Sequence, residues 1–130
     1  MNKLSKDAIL IIMSKLDDKS ILIFSLTDKY RYELCKNEDF WRNRLFSRFK
    51  LSLEEAKTFK ESSWKNLYLS IIHYLSLANN DINKAMKRAA KEGNNGLVNF
   101  FISQGAHNWD WGMYEAALGG YKDLVDFFSQ

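Results

Sequence analysis

The amino-terminal segment carries an apolar run that has no polar face. In the stretch LSKDAILIIMSKL, six apolar side chains follow one another from Ala8 to Met13. Because successive helical residues point about 100° apart, such a run puts apolar side chains on every side of a helix. A protein's own core covers one stripe of a helix, so the other side needs a second partner. We therefore expect the first helix to offer surface to something beyond its own core.

The rest of the chain shows helical periodicity. Apolar residues recur at spacings of three and four, and no segment shows the sustained alternation of a β-strand. This pattern predicts an all-α protein made of short helices. In its first part we expect helices over Lys6–Lys15, from a cap at Asp17 or Asp18 to Leu26, over Asp28–Cys35, over Glu38–Phe49, from the capping-box pair Ser52 and Glu55 onwards, and over Ser63–Leu77.

Two of these helices have well-defined apolar faces. The helix over 38–49 has an apolar side opposite its arginines, made of Phe40, Trp41, Leu45 and Phe49. The helix over 63–77 has a stripe made of Trp64, Leu67, Tyr68, Ile71, Ile72 and Leu75. We expect both faces to be buried.

The last part of the chain repeats itself. Residues 86–103 and 113–130 align without a gap at an offset of 27, and eight of the eighteen positions are identical. Similarity at a fixed period indicates stacked helical units, each read here as a short helix, a glycine turn and a second helix. Gly93 and Gly120 lie where the backbone must reverse, which predicts positive φ at both. The outermost face of such a stack stays bare unless something covers it, so Phe127 or Phe128 should be partly exposed.

Charge and cysteine content narrow the class of protein. The 19 basic and 16 acidic residues are interleaved, and a net charge of +3 is too mild to indicate nucleic-acid binding. We interpret the basic run Arg42, Arg44, Arg48 and Lys50 as the solvated face of a helix rather than a phosphate site. Hydrophobic content of 46% indicates a globular protein, and a single cysteine is typical of a reducing compartment.

Membrane insertion and secretion are not indicated. The apolar run at 8–13 is shorter than a signal-peptide core of roughly 7 to 15 residues, and no cleavage site follows it. The stretch from Tyr68 to Ala78 is shorter than the roughly 20 residues that span a bilayer. We expect an intracellular protein that does not enter a membrane.

No catalytic or metal-binding arrangement stands out. One cysteine and two distant histidines cannot form a zinc site of the kind that a RING ligase uses. Cys35 lies at an apolar helix position, which is typical of an inert buried thiol, and neither His73 nor His107 has a partner at catalytic spacing. We expect no enzymatic activity and no cofactor.

Large aromatic residues between the repeats are the candidates for target binding. Trp109 stands where the previous unit has Ile82, which favours packing over recognition. Trp111 and Tyr114 replace Lys84 and Lys87, and the two interpretations are equally open for them.

The repeated stretch AAKEGNNGLVNFFISQGA resembles an ankyrin repeat. The alanine pair, the glycine, the Leu-Val run and the closing Gly-Ala follow that family's order. The period of 27 is shorter than the usual 33 or so, and the TPLH turn is missing. Short, Phe-rich repeats of this kind resemble those in proteins of large DNA viruses. The resemblance implies two stacked helix pairs over residues 78–130 that bind a target protein.

The first part of the chain resembles an F-box, with its core motif at 4–45 inside a module over residues 1–77. The matching positions are Leu4, Ser5, Asp7, Ala8, Ile9, Ile12, Met13, Leu16, Ile21, Leu22, Lys29, Tyr32, Leu34 and Trp41. Ser5 replaces the family's proline, and Arg31 replaces its usual aromatic residue. The resemblance implies docking to a Skp-type adaptor, and through it to a cullin scaffold. The implied contacts are Leu4, Ser5, Ala8, Ile9, Ile12, Met13, Leu16 and Leu22.

Together these features predict an F-box-like helical module followed by a short α-solenoid of ankyrin-like helix pairs. The expected function is a non-enzymatic substrate receptor of a cullin ubiquitin ligase. An ankyrin-type scaffold or decoy without ligase association stays open, as does nucleic-acid binding through the face from Arg42 to Lys50.

Overall fold

The computed structural model describes residues 5–27, 36–60 and 62–130, and the regular secondary structure of this part is entirely α-helical. Its helices are α1 (Lys6–Ser14), α2 (Asp18–Thr27), α3 (Glu38–Phe49), α4 (Leu53–Phe59), α5 (Trp64–Leu77), α6 (Ile82–Lys91), α7 (Asn95–Ser103), α8 (Trp109–Gly119) and α9 (Lys122–Phe128). The all-α prediction is confirmed. The helix expected over Asp28–Cys35 lies outside the described residues, as do Leu4 and Arg31.

The described residues form two compact units. Unit 1 holds residues up to Leu53 together with Ser62–Ile72, and unit 2 holds residues 54–60 together with His73–Gln130. The sequence predicts a boundary after residue 77, whereas the chain passes from unit 1 to unit 2 between Ile72 and His73, within α5. The sequence also predicts α4 as part of the first module, and the structure assigns most of α4 to unit 2 because Phe59 packs edge-to-face on Phe100 at 5.7 Å between ring centroids.

Side-chain caps set where several helices begin. The Ser5 hydroxyl accepts a hydrogen bond from the Ala8 amide at 3.1 Å, so serine caps α1 without the proline of the F-box pattern. A carboxylate oxygen of Asp17 accepts from the Ser20 amide at 2.7 Å, which identifies Asp17 as the cap of α2. Hydrogen bonds from the Ser20 side chain and amide lower the pKa of the Asp17 carboxyl.

The core of unit 1 is formed where the apolar faces of its helices meet. Trp41 packs on Tyr68 with 5.6 Å between ring centroids, and both side chains are fully buried. The apolar stripe predicted for α5 is confirmed, since all six of its residues are buried, five of them in unit 1 and Leu75 in unit 2. On α3 three of the four predicted residues are buried and Phe40 is half-buried.

Arg44 departs from the solvated face predicted for the arginines of α3. Only 12% of its side chain is exposed. Its guanidinium donates to the carbonyls of Met13 (3.2 Å) and Leu16 (2.7 Å) at the end of α1. It also donates to the Tyr68 hydroxyl (2.8 Å) and to an Asp18 carboxylate oxygen (3.2 Å). Arg44 therefore closes the carboxyl end of α1 and links it to α2 and α5.

Asp18, which accepts from Arg44, also pairs with a second arginine of the basic run. Arg48 lies 3.2 Å from the other carboxylate oxygen of Asp18, and half of its side chain remains exposed. The Tyr68 hydroxyl donates a hydrogen bond to the Asp18 carboxylate. Burial, reinforced by this hydrogen bond, raises the pKa of Tyr68. Arg44 and Arg48 are thus held by Asp18 of α2. Arg42 instead pairs with Asp39 on its own helix, and Lys50 is exposed.

The helix pairs α6–α7 and α8–α9 of unit 2 follow the 27-residue repeat. Gly93 and Gly120 have φ of +74° and +81°, which confirms the predicted turns. The alanine pair of α6 is fully buried, and α6 packs against α8. The approach is close at the carboxyl ends, where a Cβ atom built on Gly119 would lie 2.5 Å from the Lys91 carbonyl oxygen.

Asn83 joins the two repeats at the opposite end of α6. Its side-chain oxygen accepts from the backbone amides of His107 (3.0 Å) and Asn108 (3.1 Å), immediately before α8. Asn108 in turn caps α8 by accepting from the Trp111 amide. One amide side chain therefore holds the turn that starts the second repeat.

We expect Asn83→Ala to lower the free energy of unfolding by about 1–2 kcal/mol, because two amides lose their acceptor. Chemical denaturation followed by tryptophan fluorescence measures the loss. Asn99→Ala, on the exposed side of α7, is the control and should change stability by less than about 0.5 kcal/mol. Equal effects of the two substitutions would contradict this role for Asn83.

Tyr74 of α5 covers the first repeat. Its ring packs on Phe101 at 6.3 Å between centroids, and its hydroxyl donates to a Glu92 carboxylate oxygen. Burial, followed by the hydrogen bond to Glu92 and by the charge of that carboxylate, raises the pKa of Tyr74 to about 12.

The raised pKa predicts a pH dependence of stability. In the unfolded chain a tyrosine ionises at about pH 10. The contribution of the Tyr74 hydroxyl to the free energy of unfolding is therefore complete below that pH and is lost as the pH rises through about 12. We expect the excess stability of the wild type over Tyr74→Phe to be constant up to about pH 9 and to shrink by about pH 11. Urea denaturation at both pH values measures it. An excess that grows with pH would contradict the assignment.

No helix within residues 5–27, 36–60 and 62–130 has the length and apolar character needed to cross a membrane.

Candidate protein-binding surfaces

The first two helices expose three isoleucines. Ile11, Ile12 and Ile23 keep 57%, 43% and 54% of their surface accessible to solvent, whereas Ile9, Met13 and Ile21 are buried in unit 1. We refer to Ile11, Ile12 and Ile23 as the exposed isoleucines. As the sequence predicted, α1 has apolar side chains both in the core and on the surface.

The helical register of α1 explains which residues are exposed. Ile9 and Met13 are four positions apart and share the face that packs on the core. Ile11 lies midway between them in sequence and therefore on the opposite face. Among the residues expected to contact an adaptor, Ile12 is exposed, but Ile9 and Met13 are enclosed by their own unit. Their burial places them in the core rather than on a docking surface.

The remaining adaptor-binding candidates differ in accessibility. Ala8, Leu16 and Leu22 are half-buried, and Ser5 is exposed with its hydroxyl engaged as a cap. Ile11 and Ile23 were not among the predicted contacts. Once Ile9 and Met13 are known to face the core, a helical wheel places Ile11 on the exposed side, whereas the exposure of Ile23 depends on the tertiary packing of α2.

The second repeat exposes aromatic and aliphatic side chains on α8. Trp109, a candidate target contact for which the sequence favours packing, is 44% exposed, and Tyr114, for which it leaves packing and target binding equally open, is 60% exposed. Trp111 is half-buried, and the Lys87 ammonium nitrogen lies 4.0 Å from the centroid of its ring. Leu118 is 63% exposed and was not predicted. Its replacement of Lys91 at the repeat offset could have identified it.

The outer helix α9 has one exposed phenylalanine, as predicted. Phe127 is 38% exposed, whereas its repeat equivalent Phe100 is fully buried. Phe128 is buried and packs on Gly112, where an added Cβ atom would lie 2.7 Å from its ring. The two repeats therefore share a backbone pattern but differ in how much apolar surface they cover.

Each of the two histidines contacts a neighbouring group in the described part of the chain. His73 is exposed and contacts the Tyr74 ring, and the exposed His107 ring nitrogen lies 3.2 Å from the Gly105 carbonyl oxygen. Within the described ranges, no three His, Cys, Asp or Glu side chains are grouped so that they could hold a metal ion. Cys35, expected to be a buried thiol, lies outside these ranges.

Comparison of the chain with protein-family models, with curated proteins and with solved structures found no match.

Proposed function

We propose that this protein is a non-enzymatic substrate receptor. In this proposal an F-box-like module docks a Skp-type adaptor of a cullin ubiquitin ligase through α1 and α2, and two ankyrin-like helix pairs capture a target protein. The observation that carries the proposal is the exposure of Ile11 and Ile12 on a helix whose other face is buried in its own core. The cytoplasm or nucleus is the proposed location, since a cullin ligase acts there.

The exposed isoleucines suit a protein contact. Fully burying one isoleucine side chain stabilises an association by about 1.5–3 kcal/mol relative to leaving it in water. Polar residues lie close by on α1, where Asp7 and Ser14 are exposed. An apolar centre bordered by polar side chains is typical of protein interfaces.

The repeat surface supports the capture step. Large aromatic side chains such as Trp109 and Tyr114 are enriched among the residues that dominate binding energies. Because one chain binds both the adaptor and the target, the local concentration of the target at the ligase rises. This role requires no catalytic group on the chain itself.

A scaffold or decoy without ligase association is the second candidate. It is favoured by the exposed side chains of α8, which can bind a partner whether or not α1 binds an adaptor. The two candidates differ in one outcome, because only the receptor associates with a Skp-type adaptor.

The test is co-purification of the full chain with a Skp-type adaptor, using the double variant Ile11→Lys/Ile12→Lys. Two charges in place of apolar contacts should abolish association. The last turn of α1 contains no basic residue, and cations there interact favourably with the helix dipole, so the variant should stay folded.

The matched control is Leu118→Lys, which makes the same kind of change at an exposed aliphatic residue of unit 2. It should leave adaptor association unchanged. If the wild type does not associate with the adaptor at micromolar concentration, the receptor hypothesis is rejected and the scaffold hypothesis stands.

A further inference from the structure

We infer that the face shared by α6 and α8 binds an acidic peptide segment that also carries bulky apolar side chains. This inference rests on the capture step of the proposed function and adds the chemical class of the captured segment. It follows from two stripes of equivalent positions, one basic and one apolar, on neighbouring helices.

The two stripes occupy the same positions of successive repeats. We call Lys84, Lys87 and Lys91 of α6 the lysine stripe. We call their equivalents at the offset of 27, which are Trp111, Tyr114 and Leu118 of α8, the apolar stripe. Positions i, i+3 and i+7 share one face of a helix, so each set forms a continuous row.

Contacts between α6 and α8 place the rows side by side. The Lys87 ammonium nitrogen lies over the Trp111 ring at 4.0 Å and 3.7 Å from a carboxylate oxygen of Glu115. Near the carboxyl ends, the Lys91 carbonyl approaches Gly119. The helices therefore run parallel with the two rows adjacent, so one ligand can contact both.

The charges on this face favour a ligand with negative charge. Lys84 and Lys91 are exposed, and neither forms an ion pair in the described part of the chain. Glu115, which lies between the rows, is buried and already pairs with Lys87, and the Asp81 carboxylate accepts from the Lys84 backbone amide as the cap of α6. Two ammonium groups are thus available to carboxylates of a partner.

The apolar stripe favours a peptide over a nucleic acid. Tyr114 and Leu118 are more than half exposed, and aliphatic Leu118 offers no flat surface on which a base could stack. The Trp111 ring is already covered on one face by Lys87. Apolar side chains of a peptide can pack on Tyr114 and Leu118 while its carboxylates reach Lys84 and Lys91.

The experiment selects peptides from a random library on the immobilised full-length protein and measures affinities of the enriched peptides in solution. We expect enriched peptides to combine acidic residues with Leu, Phe or Trp. Charge reversal by Lys84→Glu/Lys91→Glu should weaken their binding about tenfold. Tyr114→Lys/Leu118→Lys, which introduces the residues that α6 has at these positions, should weaken it at least tenfold.

The control variant is Lys19→Glu/Lys57→Glu. It changes the net charge by the same amount as Lys84→Glu/Lys91→Glu. Lys19 lies in the first turn of α2 and Lys57 in the last turn of α4, just as Lys84 and Lys91 lie in the first and last turns of α6. It should bind the peptides as the wild type does.

Three results would overturn the inference: no enriched peptide, enrichment without an excess of acidic residues, or equal affinity for wild type and stripe variants. A single-stranded oligonucleotide, tested in parallel, would reassign the face to nucleic acid if it bound and charge reversal abolished its binding. Adaptor association of Lys84→Glu/Lys91→Glu is measured alongside. If this variant keeps the adaptor and loses the peptides, the inference is supported; if the wild type binds the adaptor but enriches no acidic peptide, only this inference is rejected.

Discussion

Replacing Arg44 with methionine is expected to lower the free energy of unfolding by about 3–5 kcal/mol. Methionine matches the length of the side chain but provides no hydrogen-bond donor. The carbonyls of Met13 and Leu16 would lose the hydrogen bonds that they accept from the guanidinium, and the Asp18 carboxylate would keep only Arg48 and Tyr68. Four hydrogen bonds of a largely buried guanidinium are lost together, and Asp18 keeps only the half-exposed Arg48 as a cation, which accounts for the size of the effect.

Urea denaturation followed by tryptophan fluorescence measures this loss. Arg42→Met is the matched control, since Arg42 lies on the same helix and pairs with the exposed Asp39 at 3.3 Å in an i,i+3 arrangement. Such surface pairs contribute about 0.2–1 kcal/mol, so the control should stay close to the wild type. If the two variants were equally stable, the solvated-arginine interpretation would be restored.

The second large effect is expected at Phe100. Phe100→Ala should lower the free energy of unfolding by about 3–5 kcal/mol, because a fully buried ring is replaced by a cavity. The ring contacts Phe59 at 5.7 Å and Phe101 at 5.3 Å between centroids, so α4 and α7 both lose a packing partner.

The repeat provides the control for this prediction. Phe127→Ala makes the same change at the equivalent position of the second repeat, where the ring is 38% exposed. We expect a loss of about 1–2 kcal/mol there, since part of the ring is already in water. Denaturation midpoints and slopes of the two variants give the comparison. Equal losses would mean that Phe59 does not distinguish the two repeats.

Local patterns in the sequence predicted much of the fold. The spacing of apolar residues predicted α3 with its bounds, and the internal repeat predicted the turns at Gly93 and Gly120 with positive φ. These features depend on neighbours within one or two helical turns, or on a second copy of the same pattern. Both kinds of information can be read directly from a single chain.

Long-range contacts were beyond such patterns. Arg44 reads as one more cation on a polar face, and its burial depends on partners 24 to 31 positions away. The choice between Ile9 and Ile11 as the exposed face of α1 depends on where the core lies, which an all-apolar run does not encode. The assignment of α4 to unit 2 depends in the same way on Phe59 meeting Phe100.

The central claim is that α1 and α2 dock a Skp-type adaptor. Hydrogen exchange of the full chain, with and without the purified adaptor, tests it most directly. The account predicts slower exchange on adding the adaptor in peptides that cover residues 6–14 and 18–27, with the amides of α8 unchanged. Unchanged exchange in both amino-terminal segments, or protection confined to the repeats, would contradict it.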